Sequence, residues 1–169
     1  YRIRQCCIIK MQCNTSLYRR WNKQQGVPRI VEFDLSMCTY LGNKELLNWR
    51  KIGFLASRKI STSAILPTLD WAVETSKRTD VAVVSGFHSC LEKDVLKFLL
   101  QGKCGIIIVL ARSIYRKLPK IYDTVMEENR MLIISLEKET VTRVSERTAH
   151  KRNKYVEELA DELRQINSL

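Results

Sequence analysis

Four short apolar runs, KIGFLAS at 51–57, VAVVSG at 81–86, GIIIVLA at 105–111 and MLIISL at 131–136, constrain this chain more than any other feature. Each is too short for a helix and most are rich in β-branched residues, so they read as strands buried on both faces. Amphipathic stretches separate them. Ala64–Ser76 carries Ile65, Leu66, Leu69, Ala72 and Val73; Leu91–Leu100 follows; and Pro119–Glu128 opens with a proline suited to a first helical turn. Alternation at this spacing implies βαβ units with right-handed crossovers, and hence an α/β, three-layer domain with a mainly parallel sheet. The stretch Glu146–Ile166 places Val156, Leu159, Ala160, Leu163 and Ile166 on one helical face and is expected to pack across the sheet as a closing helix.

The first 45 residues lack a sustained period, so the expected division is a basic N-terminal segment, 1–45, and an α/β domain, 46–169. Within the former, Val27–Leu35 reads as one short strand; Glu45–Trp49 reads as a brief helix into the domain. A length of 169 residues suits one domain with a real core. The net charge of +11 favours polyanionic partners, nucleic acid first. Charge is uneven: residues 1–50 hold nine Lys/Arg against three Asp/Glu, and the remainder twenty against fifteen. Six cysteines with no CxxC pair and only two histidines argue against a zinc site. No apolar run reaches the roughly 18 residues of a membrane span. The chain reads as a reduced cytoplasmic protein, with no metal or cofactor, in which Cys90 and Cys104 are small core residues.

Open α/β sheets bind ligands at the carboxyl ends of their strands, where helix N-termini offer free N–H groups. After the first run come Ser57, Arg58 and Lys59, then three hydroxyl residues, which suit a phosphate and equally suit an N-cap. After the second, Ser85, Gly86, Phe87, His88 and Ser89 precede a helix carrying Glu92. Gly86 permits a sharp turn or a close approach, and Ser89 with Glu92 has capping-box spacing. A nucleophile there needs a base and an orienting group. His88, Ser89 and Cys90 are adjacent, so their side chains diverge and the catalytic reading is weak. His88 suits a phosphate or base contact, or a structural role. After the third, Arg112 leads toward Lys120 in the next helix's first turn.

The C-terminal stretch has its charges reversed for a helix. Arg147, His150, Lys151, Arg152 and Lys154 precede Glu157, Glu158, Asp161 and Glu162, against the macrodipole. Either tertiary partners or a basic end facing a polyanion explains that order, with a solvated basic face as the plain alternative; beside Arg58 and Arg112 at neighbouring strand ends the polyanion is the better explanation, and several Arg–phosphate contacts along one edge would bind in a salt-dependent way.

Four elements in this order, Ala56-Ser57-Arg58, the turn from Ser85 to Glu92, Ala111-Arg112, and Lys151-Arg152-Asn153-Lys154-Tyr155-Val156, resemble the DNA-processing protein A (DprA/Smf) family of the Rossmann-like nucleotide- and DNA-binding superfamily, over residues 51–162. The resemblance implies a Rossmann-like fold and a sequence-tolerant binder of single-stranded DNA. It implies a recombination mediator of natural transformation that loads a RecA-type recombinase, has no chemistry of its own and is often a homodimer. Carried onto this chain, Arg58 would hold a backbone phosphate, the Ser85–Ser89 turn would approach the strand, and Arg152 with Asn153 would complete the pocket. The family's turn has an arginine, a glycine and an aspartate where this chain has Ser89, Cys90 and Glu92. Two alternatives share the superfamily: a small-nucleotide sensor, and a phosphoribohydrolase whose glycine-rich turn SGFHSCLE lacks.

Overall fold

The structure is a computed structural model that describes residues 16–21, 28–33 and 38–167. Strands β1 (Ser16–Trp21) and β2 (Pro28–Phe33) form a two-stranded antiparallel ribbon. The main sheet has six strands: β3 (Thr39–Gly42), β4 (Arg50–Ala56), β5 (Val81–Ser85), β6 (Gly105–Leu110), β7 (Met131–Ser135) and β8 (Glu162–Ile166), in the spatial order β3-β7-β6-β5-β4-β8. Neighbours are parallel except for β3, which runs antiparallel to β7. The helices are α1 (Ile65–Ser76), α2 (Cys90–Gln101), α3 (Asp123–Glu127) and α4 (Glu146–Leu159).

Strand alternation divides the apolar side chains between two cores. Ile52, Phe54, Val81, Val83, Ile106, Ile108, Met131 and Ile133 face α1, α2 and α3. Leu55, Ala82, Val84, Ile107, Val109, Leu132 and Ile134 face α4 and the short 3-10 turn Lys44–Asn48, whose Leu46 and Leu47 are wholly buried. The result is the three-layer α/β architecture expected from the four runs, all of which are strands. Cys104 is buried, and burial pushes its thiol up to about 11. Cys90 is exposed, which corrects the core reading for that residue: it is the first residue of α2 and lies off the face formed by Leu91, Val95, Leu96 and Leu99.

The closing element also differs from expectation. The helix stops at Leu159, Ala160 turns extended (φ −73°, ψ 139°), and Glu162–Ile166 becomes an edge strand beside β4. In the strand Leu163 and Ile166 fall on opposite faces, Ile166 packed against the core and Leu163 40% exposed, an outcome that their helical spacing does not foresee. Tertiary pairing decides. Asp161 Oδ2 accepts from the Lys51 backbone N–H at 2.7 Å and pairs with Lys51 Nζ at 2.9 Å, while the Asp161 N–H donates to Lys51 O at 2.9 Å. Lys51 Nζ also donates to the carbonyls of Leu47 and Trp49, so the cation sits in a satisfied, buried nest. The sheet also reaches back past residue 46 to β3, a four-residue strand too short to register as a periodic run.

Breaking a buried ion pair leaves the other charge uncompensated at about 3–5 kcal/mol, whereas an exposed pair is worth under about 1 kcal/mol. Asp161→Ala is therefore expected to lower stability by the larger amount. Loss of the half-exposed Arg50–Glu162 pair in Glu162→Ala is expected to cost the smaller. Urea denaturation of both variants checks the contrast, and equal effects would remove the clamp from this account.

Candidate functional site

A cleft of about 220 Å³ opens outside the carboxyl ends of β4 and β8 and along α4 from Ala149 to Glu157. Its lining includes Ser57, Arg58, His88, Ser89, Glu92, Arg152, Asn153, Glu157 and Gln165. Its floor is organised by Glu92, which is buried at 3% exposure. One carboxylate oxygen accepts from the Ala56 N–H at 3.0 Å; the other accepts from the N–H groups of His88 at 2.6 Å and Ser89 at 3.0 Å. Ser89 Oγ accepts in return from the Glu92 N–H at 3.3 Å, completing a capping box. One side chain thus ties the end of β4 to the turn after β5.

This arrangement settles what the turn offers. The amides of His88 and Ser89, which would otherwise face an anion at a helix N-terminus, already hold the Glu92 carboxylate. Ser89 is a cap, with its hydroxyl committed to the backbone. Ser85 is fully buried, and its Oγ accepts from the Phe87 N–H at 3.2 Å. Phe87 adopts a left-handed backbone (φ +46°) with its ring buried in the core, a conformation that costs a non-glycine residue on the order of 1–3 kcal/mol. The surrounding hydrogen bonds hold it there.

Gly86 serves a close approach. A Cβ at this position would collide with the Arg152 guanidinium, so the glycine leaves the seat in which that group lies. Arg152 is only 6% exposed; its hydrogen bond among the described residues runs from Nε to Asn153 Oδ1 at 2.7 Å. Burial lowers its pKa, with Glu92 working in the opposite sense, yet a guanidinium stays charged at neutral pH. Arg58 and His88 are exposed in the same cleft and form no side-chain hydrogen bond or ion pair among the described residues. Burial pulls the His88 imidazole below 6.5; Arg152, Lys93 and Arg58 add to that shift and Glu92 opposes it.

The cleft therefore gathers Ser57, Arg58, His88, Ser89, Glu92, Arg152 and Asn153, with Gly86 beneath. The other candidates lie apart from its lining. Arg112, at the end of β6, stacks over the Tyr115 ring at 5.1 Å. Lys120 and Arg147 are exposed, in the 3-10 turn Lys120–Tyr122 and the first turn of α4. Lys151 Nζ donates to Leu136 O at 2.9 Å and pairs with Glu137 at 3.2 Å, fastening α4 to the segment after β7. Glu157 and Gln165 line the cleft without having been singled out in the sequence. The i+4 spacing of Glu157 from Asn153 was the available signal for the first; Gln165 required knowledge of β8. Among the described residues, no cluster of three or more His, Cys, Asp or Glu is placed to hold a metal, and no helix is long and apolar enough to cross a membrane.

Two substitutions separate shape from stability. Gly86→Ala is expected to displace only the flexible end of Arg152 and leave the urea midpoint nearly unchanged. Glu92→Ala leaves three N–H groups without their acceptor and is expected to cost at least about 2 kcal/mol, given about 1–3 kcal/mol for each stranded buried group. A Gly86→Ala variant as unstable as Glu92→Ala would contradict this division.

Solved structures share the fold. DNA processing protein A (DprA) from Streptococcus pneumoniae superposes with a TM-score of 0.59 at 17% identity, over 78% of this chain and 46% of that one. DNA processing protein A from Helicobacter pylori, solved to describe its single-stranded DNA binding mode, superposes with a TM-score of 0.60 at 17% identity, over 91% of this chain and 69% of that one. The chain thus spans less than half the length of the streptococcal structure. No curated protein sequence matches it significantly. The model of the DNA recombination-mediator protein A family matches residues 34–166, a range that contains the entire six-stranded sheet and its helices, and the chain belongs to that family.

Proposed function

We propose that the chain binds single-stranded DNA through the phosphates of its backbone at the β4–β8 cleft, as part of a recombination mediator that delivers the strand to a RecA-type recombinase. The observation that carries this reading is Arg152: a buried cation, seated over Gly86 and held by Asn153, opening into a cleft that also holds the uncommitted Arg58. Burying a charge is costly without a bonded counter-charge; Glu92 compensates Arg152 through space but forms no bond to it among the described residues, and a phosphate would supply one. The Helicobacter protein's single-stranded DNA binding and the family's role in recombination point the same way.

In this reading Arg152 and Arg58 contact phosphate oxygens, with Ser57 and Asn153 as hydrogen-bonding neighbours. His88 faces the same anion. Ser85, Gly86, Ser89 and Glu92 shape the seat and make no ligand contact of their own. Arg112, stacked on Tyr115, is placed for a more distant part of the strand. The binding step involves no bond-making chemistry, and a homodimer would align two such clefts along one strand. A mononucleotide-sensing role is favoured by one observation, the cleft's volume, which is below the 300–1,000 Å³ typical of ligand pockets.

Fluorescence anisotropy with a labelled thymidine oligonucleotide tests the proposal. The wild-type chain is expected to bind with an affinity that falls steeply with salt. Arg58→Ala combined with Arg152→Ala is expected to weaken binding at least about 10-fold, since hydrogen bonds to charged groups are each worth about 1.5–3 kcal/mol. Unchanged affinity in the double variant would sink the cleft as the strand site.

The pH dependence follows from His88. Its pKa is held below 6.5 in the free protein by burial and by neighbouring cations, and a bound phosphate offsets those cations. Protonated His88 therefore binds the anion better, and affinity is expected to rise as pH falls from 7.5 through that depressed pKa. His88→Gln should abolish the rise in affinity as pH falls below 6.5; a wild-type affinity that does not rise as pH is lowered below 6.5, measured down to the point of acid unfolding, would count against a phosphate beside His88.

A further inference from the structure

The cleft has a second pole. Ala149, Asn153 and Glu157 lie four residues apart on α4 and share one face, successive positions being about 5–6 Å apart. The helix begins after the carboxyl end of β7 and ends just before the amino end of β8, so it runs opposite to the parallel strands. Glu157 therefore sits one turn deeper than the Asn153–Arg152 pair, away from the carboxyl edge. Gln165 of β8, in register with Leu55 near the carboxyl end of the sheet, contributes another polar side chain to the same lining.

Glu157 and Gln165 are both exposed to the cleft, and their side chains form no hydrogen bond or ion pair among the described residues. A free carboxylate would repel a second phosphate. It also lies in the half of α4 where the macrodipole disfavours negative charge. Glu158, its neighbour, is paired with Lys154; Glu157 is not. The lining thus joins two cations to an unpaired carboxylate and an unpaired amide, a polarity that matches a nucleotide: an anionic phosphate joined to a base with N–H donors.

Resting on the phosphate reading above, we propose that the cleft admits one base of the bound strand and reads its Watson–Crick edge through Glu157 and Gln165, favouring guanine and disfavouring thymine. An ionised carboxylate only accepts hydrogen bonds, and a glutamine amide both donates and accepts. Guanine presents N1–H and N2–H₂ side by side for the Glu157 carboxylate, with O6 adjacent for the Gln165 NH₂. Thymine presents a single N3–H between two carbonyl oxygens that would face the carboxylate. At about 220 Å³ the cleft is small beside typical ligand pockets of roughly 300–1,000 Å³, which suits a single nucleotide unit.

Isothermal titration of the full chain with deoxyguanosine monophosphate and with thymidine monophosphate reads the pocket without requiring a strand. The guanine nucleotide is expected to bind about 10-fold more tightly, the scale of one bidentate base contact. Glu157→Gln is expected to bring the two within about 2-fold of each other, leave the thymidine nucleotide no weaker, and melt like wild type. Equal binding of the two by wild type, failure of both to bind, or a preference that survives Glu157→Gln would each overturn the inference. Its failure and that of the phosphate reading are separable. A thymidine oligonucleotide that binds through Arg58 and Arg152 without any mononucleotide preference removes base reading alone. A mononucleotide preference without strand binding removes the DNA reading and keeps the pocket's selectivity.

Discussion

The Glu92 carboxylate is the interaction on which the site depends. It accepts from N–H groups of the β4 terminus and of the turn after β5, two places separated by a whole crossover helix in sequence. A carboxylate has lone pairs enough for several donors, and charge-assisted bonds of this kind are about twice as strong as neutral ones. Their effect is geometric as well as energetic. With the turn fixed, Phe87 holds its left-handed backbone, Gly86 faces outward, and the seat for Arg152 exists before any ligand arrives.

That internal anion also changes which groups can do the binding. A helix N-terminus with free amides could serve as an anion site by itself. Here the amides of α2 are consumed by the protein's own carboxylate, so recognition passes to side chains on other elements: Arg58 after β4 and Arg152 on α4. Substitution of the family's aspartate by Glu92 and of its arginine by Ser89 fits this division. The longer carboxylate spans from α2 to Ala56 N while still capping the turn, and Arg152 reaches in from the opposite layer as the buried cation of the cleft.

Much of this was legible in the sequence because the parallel strands are written as uninterrupted apolar runs, and the turn after VAVVS carries its capping box in four letters. Arg58, His88 and Arg152 were readable as candidates because each stands beside a strand end or at the start of a basic helix. Three features were not legible. The strand character of ELRQI is set by the Lys51–Asp161 clamp, a contact over a hundred residues long that no local window contains. Gln165 entered the cleft only as a consequence of that strand. The distance of Arg112 and Lys120 from the cleft depends on which strands are neighbours: β6 lies one strand beyond β5 from β4, so equivalent strand ends are not equivalent positions.

The reversed charge order of α4 resolves into separate causes once its neighbours are known. Lys151 is held by Leu136 O and Glu137 on the adjoining segment, so its place near the helix N-terminus is offset by tertiary bonds. Lys154 and Glu158 pair at i,i+4, weakly at 3.8 Å, and offset one another along the helix. Arg147 and His150 stay exposed in the first half of the helix; inside the cleft remain Arg152, buried, and Glu157, one turn further along α4, neither with an opposite charge bonded to it among the described residues. The local electrostatics of the helix favours neither residue where it stands. Their common feature is the cleft, with a cation at the sheet edge and an acceptor one turn along the helix, so this part of the charge pattern is the part a nucleotide would complete.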